Sequence, residues 1–221
     1  MAFTDAVFDG KAQLEGVFAK HARTLPSLRA MVECNRAVAV TTDDLMQLIK
    51  VIRPDVLVDA RMRKRQHPEL QRELARLTIG LGPNFIAGET TDLVIETAWG
   101  ESLGQVIKHG ASLPQTGEPK AIAGHERDRF VYTEVAGEFM TELEIGDAVI
   151  RGDAVARIGD AILRAPLTGR LRGLTHCGVW VNKGSKVIEV DARGDGAVVR
   201  GLGERPACIA EGVLEAIKDL G

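Results

Sequence analysis

Gly137–Ile158 reads GEFMTELEIGDAVIRGDAVARI, and Gly169–Val190 reads GRLRGLTHCGVWVNKGSKVIEV. At an offset of 32 residues Gly137 meets Gly169, Phe139 meets Leu171, Gly146 meets Gly178 and Val149 meets Val181. The match continues with Arg151 on Lys183, Gly152 on Gly184, Val155 on Val187 and Ile158 on Val190. Each copy has the form apolar, turn, G-x-x-V-x-[RK]-G-x-x-V. Glycines supply tight turns, and the alternating valines line an interior. A unit this small cannot bury its own apolar face, so two copies must pack on each other. The pattern predicts a small, closed β-structure built about a pseudo-twofold axis.

The composition suits such a fold. The chain has 221 residues, enough for one large domain or two modest ones, with 24 glycines and only 4% aromatic residues. Short strands, tight turns and a Val/Ile core follow from that balance. A formal charge of −3 gives no general pull toward nucleic acid. Three scattered cysteines, Cys34, Cys177 and Cys208, form no CxxC pair, which argues against a disulfide frame and a cysteine zinc site. No signal-peptide pattern and no long apolar run is present, so the expectation is a cytoplasmic protein without a membrane span.

Upstream of the repeat the pattern changes to α/β. Asp43–Ile52 has helical apolar spacing, with Thr42 or Asp43 as N-cap, and Arg53-Pro54 ends it. Val56–Val58 is a short strand closing on Asp59. Pro68–Leu77 reads as a second helix with Leu70, Leu74 and Leu77 on one face. Strands are expected at Thr78–Gly82, Leu93–Thr97 and Leu103–Lys108, and Ser112–Asp128, rich in Pro, Gly and charge, reads as a connection. The expected organisation is therefore an α/β domain over 1–128, the repeat over 129–192 and a strand/helix tail over 193–221.

Chemistry-bearing residues gather in the α/β part. The turn Gly80-Leu81-Gly82-Pro83-Asn84-Phe85-Ile86-Ala87-Gly88 follows a strand, where backbone N–H groups can approach an anion. It is neither a Walker A loop nor a strict GxGxxG, and a simple tight turn is an equal reading. Asp59-Ala60-Arg61-Met62-Arg63-Lys64-Arg65 places an acid and four cations beyond another strand end, where open α/β sheets bind ligands. A solvated helix start is the bland alternative. Gly80, Gly82, Asn84, Gly88, Arg61, Arg63 and Lys64 are thus the candidate anion-binding set. Glu96, and more weakly Asp59, are the candidate bases, with an ion-paired structural role as the competing reading. His109 and His125 lack metal-ligand spacing, and no metal site is expected. Trp180 is either a cap on the β core or an exposed anchor.

Two resemblances follow from these residues. Ile145-Gly146-Asp147, Val149, Gly152-Asp153 and Val155, with Arg164-Ala165-Pro166-Leu167-Thr168-Gly169, resemble biotin carrier and lipoyl domains. That resemblance implies a biotinyl/lipoyl-like barrel-sandwich hybrid of two half-repeats. In those domains the halves meet at a hairpin bearing a modified lysine. Here the junction is Ile158-Gly159-Asp160-Ala161-Ile162-Leu163, without lysine, so neither biotin nor lipoate is expected.

The second resemblance covers nearly the whole chain. Asp55–Met62, Ile79–Gly88, Val94–Thr97, Leu103–Ile107, Gly110–Gly117, Arg164–Gly169 and Gly212–Ile217 are similar, in order, to the selenium-dependent molybdenum hydroxylase system proteins. This implies an accessory role in molybdenum hydroxylase maturation, with molybdopterin or its nucleotide form as ligand and a hydroxylase subunit as partner. Three departures stand out. The usual opening GxGDxxxG unit is not in this chain, and Met1–Phe8 resembles the helix that follows it. Asn84 replaces a glycine, and Trp99 replaces an arginine near Glu96. Asn tolerates positive φ, whereas the lost cation removes an anion contact.

Three functions compete at this level. One is an accessory protein that holds the cofactor, a precursor or the client enzyme through the glycine-rich turn. Another is a small-molecule enzyme with a carboxylate base. The third is an interaction module that docks through the barrel surface. No nucleic acid or membrane partner is expected, and a homo-oligomer stays open.

Overall fold

The structure is a computed structural model that describes residues 3–62, 66–114, 117 and 119–218. It is mixed α+β and divides into two compact units. One comprises Ala2–Thr116 with Leu202–Gly221, the other Gly117–Gly201. The division falls inside the Pro/Gly-rich connection, and the final helix belongs with the first part of the chain.

The first unit opens with α1 (Ala6–Asp9), β1 (Lys11–Leu14), β2 (Val17–His21), α2 (Leu25–Cys34) and β3 (Val38–Val40). The three strands form a sheet in which β1 runs antiparallel and β3 parallel to β2. The expected helix after it is α3 (Leu45–Ile52). Its cap is Asp44, whose side chain accepts from Met46 N and Gln47 N at 2.9 and 3.2 Å. Next come β4 (Val56–Asp59), β5 (Leu77–Leu81), β6 (Ile86–Ala87), β7 (Leu93–Ile95), β8 (Val106–Ile107), β9 (Gly110–Ala111) and the last helix, α4 (Glu204–Lys218).

Strands β4, β5 and β7 are parallel neighbours and β8 is antiparallel at the edge. Ile79, Leu81 and Ile95 point to one side, where Ile209 and Ala216 of α4 complete a core. Val94 points to the other side, onto Phe85 and Ala87. The close seat of α4 depends on Gly212, where an added Cβ would lie 2.0 Å from Gly104 O.

Pro68–Leu77 is not a helix. Leu77 pairs with Val56 at the start of β5, Gln71 N donates to Thr90 O at 2.8 Å, and Leu70 lies exposed. Tertiary hydrogen bonds and burial of Gln71 outweigh the local 3.6-residue pattern.

The second unit contains β10 (Phe130–Tyr132), β11 (Gly137–Met140), β12 (Ala148–Val149), β13 (Ala154–Ile158), β14 (Ala161–Arg164), β15 (Gly169–Leu174), β16 (Val179–Val181) and β17 (Lys186–Asp191). They form two four-stranded sheets, β10-β17-β15-β12 and β14-β13-β11-β16, rather than one closed barrel. Every pairing is antiparallel. Phe139, Val155, Ile158 and Val181 from one sheet share a single core with Val149, Leu171, Val187 and Val190 from the other. These are the residues matched by the repeat.

The two sheet orders superpose strand for strand at the repeat offset: β17 on β13, β15 on β11, β12 on β16 and β10 on β14. Each sheet thus takes two strands from each half, and the short strands β12 and β16 pair with β15 and β11 of the other half. Among the described residues no helix is long and apolar enough to cross a membrane.

Candidate functional site

Parallel pairing brings three of the predicted features to one sheet edge. Asp59 stands opposite Gly80 in the β4–β5 register, and Leu81 stands opposite Ile95 in β5–β7. The carboxyl ends of these strands therefore present Asp59, the glycine-rich turn and Glu96 side by side, the usual ligand edge of an open α/β sheet.

Asp59 is buried, and its carboxylate is crowded with donors. Arg61 N and Nε donate to Oδ1 at 3.0 and 2.9 Å, Gln71 Nε2 donates to Oδ2 at 2.7 Å, and the Arg61 Nη2 group closes on Oδ2. Burial pushes the acid upward, but the bonds from Arg61 and Gln71 outweigh it and hold the pKa at about 2. Arg61 also contacts Glu69 at 2.5 Å. Its guanidinium is thus shared between two carboxylates. Arg63 and Lys64, predicted to assist it, lie outside the described residues.

The turn has the backbone geometry that its residues suggest. Gly82, Asn84 and Gly88 have φ of +84°, +74° and +87°. At Gly82 this conformation is reinforced by proximity, because an added Cβ would lie 2.5 Å from Thr97 Oγ1. Three of the turn's N–H groups, however, bond within the protein. Gly82 N donates to Ile95 O at 3.1 Å, Gly88 N to Thr91 O at 2.8 Å and Ile86 N to Thr90 Oγ1 at 2.8 Å. Phe85 lies buried beneath Gly80.

Glu96 is 3% exposed and serves as a backbone clamp. Its Oε1 accepts from Thr97 N and Ala98 N at 2.7 and 2.8 Å, and Oε2 accepts from Leu113 N at 2.7 Å. A contact with no local sequence signal reaches the same loop: Arg205 Nε of α4 donates to Thr97 O at 2.7 Å. It brings a guanidinium to the loop that also carries Trp99. His125 bonds Asp128 at 2.5 Å, and among the described residues no group of three or more His, Cys, Asp or Glu could hold a metal ion.

The second unit offers a different surface. Trp180 is 70% exposed and does not cap the core. It pairs with Glu138 across β16–β11, while Met140, Arg157 and Ile162 align across β11, β13 and β14. Beside them is an open groove of about 590 Å³, bounded by Val135, Glu138, Arg157, Asp160 and Trp180. Gly159 and Asp160, in the turn between β13 and β14, also line it.

No protein-family model matches the sequence. The chain is 38% identical over 218 residues to the uncharacterized protein YqeB of Escherichia coli, covering 98% of this chain and 40% of that protein. It thus spans about two-fifths of the length of this curated relative. A solved structure with partial similarity is the product-bound ectoine utilization protein EutE (DoeB) from Ruegeria pomeroyi. That match has 26% identity and a TM-score of 0.27 over 30% of this chain and 22% of the other.

Proposed function

We propose that this chain is an accessory protein that acts by binding, with a molybdenum hydroxylase as the client that its sequence resemblance implies. The observation that carries the reading is the condition of the two carboxylates at the sheet edge. Asp59 is neutralised by Arg61 and held by Gln71, and Glu96 spends its oxygens on three N–H groups. A general base needs a lone pair facing its substrate, and both acids are committed elsewhere. The two sheets with their exchanged short strands and common core support a biotinyl/lipoyl-like barrel-sandwich for the second unit. With Gly159-Asp160 at its junction, that fold serves docking rather than carriage of biotin or lipoate. The setting proposed is cytoplasmic. The test is surface-immobilised chain exposed to a purified molybdenum hydroxylase subunit. Saturable micromolar binding supports the reading, and its absence for apo and cofactor-loaded subunit alike removes it.

A second reading places molybdopterin or its nucleotide form at the Gly80–Gly88 turn. The left-handed backbone at Gly82, Asn84 and Gly88 at the end of the central parallel strand favours it. Calorimetric titration with molybdopterin at tens of micromolar decides the matter, since no heat and no co-purifying pterin would eliminate that ligand.

A further inference from the structure

We propose that the outward face of the β14-β13-β11-β16 sheet is the docking surface, and that it takes a basic, apolar segment of a partner protein. The proposal rests on the accessory-protein reading and specifies the chemistry of the contact.

The argument begins with strand alternation. Phe139, Val155, Ile158, Leu163 and Val181 point into the core, so Glu138, Met140, Arg157, Ile162 and Trp180 face outward. Pairing sets Ile162, Arg157 and Met140 in one row and Glu138 beside Trp180 in another. Two exposed apolar side chains, Ile162 and Trp180, thus flank a half-buried methionine, whose flexible thioether suits a binding surface.

The repeat supplies an internal comparison. Thirty-two residues on, the positions of Glu138, Met140 and Arg157 are held by Arg170, Arg172 and Glu189. On that other sheet the charges are matched. Arg170 pairs with Asp195 at 2.5 Å, Arg172 with Glu189 and Asp191 at 3.3 and 3.2 Å, and Lys186 with Glu189 at 2.5 Å. Phe130 there lies under the Arg129 and Lys186 cations, at 4.3 and 3.7 Å. On the β14-β13-β11-β16 face, Glu138, Glu142, Arg157 and Asp160 have no ion pair or side-chain hydrogen bond among the described residues. One scaffold therefore carries a sealed face and an unsealed one.

The unsealed face also has a sign. The groove beside Trp180 continues into a second of about 410 Å³ lined by Met140, Glu142 and Ile162, and the two share Met140 and Arg157. Along both run three carboxylates, Glu138, Glu142 and Asp160, against the single guanidinium of Arg157. Complementarity then calls for a cation, and the Trp180 indole adds a cation–π surface. The apolar residues between the charges call for aliphatic side chains on the same ligand.

The test uses the whole chain carrying Trp99→Phe, which leaves Trp180 as its one tryptophan. The probe is a fifteen-residue synthetic peptide of leucine and lysine, with a leucine–glutamate peptide of equal length as control. The expected result is a saturable blue shift of Trp180 emission with the lysine peptide alone, weakened about tenfold or more by Glu138→Lys with Asp160→Lys. Equal response to both peptides overturns the proposal, as does binding indifferent to the double substitution. So does concentration-dependent self-association abolished by Trp180→Ala, which would assign the face to a second copy. A hydroxylase subunit still bound normally by the double variant would remove this surface while leaving the accessory reading intact.

Discussion

Gly146 and Gly178 make the same hydrogen bond from opposite halves of the repeat: Gly146 N donates to Leu171 O and Gly178 N to Phe139 O, both at 2.8 Å. The acceptors are themselves repeat mates, and both are fully buried. A second such pair links Gly152 N to Ala165 O at 2.9 Å and Gly184 N to Thr133 O at 2.7 Å. The pseudo-symmetry thus extends from sequence to individual backbone bonds.

If the two halves are energetically equivalent, Gly146→Ala and Gly178→Ala should cost similar amounts. Their φ values are +106° and +83°, and added Cβ atoms would make only ordinary contacts, so backbone strain is the main term. The expected loss is about 1–2 kcal/mol each, in one urea transition followed by Trp180 emission in a Trp99→Phe background. A loss confined to one substitution would show that the halves are not equivalent.

Acid should weaken both units. Asp59 is held at about 2 because the bonds from Arg61 and Gln71 outweigh burial. Asp191 reaches about 2 mainly through the Arg193 hydrogen bond. Both pKa values lie below the unfolded value of about 3.9, so each carboxylate stabilises fully above that pH and its contribution fades as pH falls toward about 2. Each is worth on the order of 2 kcal/mol. Chemical denaturation between those limits should show the loss, and Asp59→Asn should flatten it for the first unit alone. An unchanged acid slope in that variant would contradict the assignment.

Glu96→Gln separates a clamp from a base. The amide replaces one accepting oxygen with a donor facing backbone N–H groups, so a stability loss of about 1–3 kcal/mol is expected. Thermal unfolding provides the measurement. A variant as stable as the parent would mean that the three N–H contacts contribute little and would restore Glu96 as a candidate for chemistry.

Gly212→Val should detach α4. The new side chain would collide with Gly104 O and with Ile95, 3.1 Å from the added Cβ, and both lie on rigid backbone or core. A loss of more than about 2 kcal/mol is expected, with faster amide exchange along β5 and β7. Unaltered exchange in those strands would show that the helix is dispensable to the sheet.

The sequence was most legible where periodicity and burial coincide. The repeat disclosed the core of the second unit because its matched valines and glycines recur at fixed spacing. It did not disclose which sheet each short strand joins, because a pattern within one half says nothing about its neighbour. The β10–β14 equivalence is not legible in the sequence, since Phe130-Val131-Tyr132 and Ile162-Leu163-Arg164 share no identical residue. Strand ends at Asp59, Gly80 and Glu96 were readable from local turns and charges. Their commitments were not, because Gln71, Leu113 and Arg205 lie 12, 17 and 108 residues from the groups they contact. Pro68–Leu77 misled for the same reason, its leucines being sorted by distant partners. Strands β1 to β3 left little trace, because most of their side chains are not buried.

The return of α4 to the first sheet has a consequence for synthesis. Roughly a hundred residues separate β8 from α4, which at 5–20 residues per second is a delay of roughly 5–20 s on the ribosome. Throughout it, Leu77, Ile79, Leu81 and Ile95 lack the helix that covers them in the finished protein. The later unit, by contrast, has all its strands in hand before α4 is translated. The chain is therefore expected to mature out of order, its middle first and its beginning last, with the nascent apolar sheet a natural client for a chaperone in the interval.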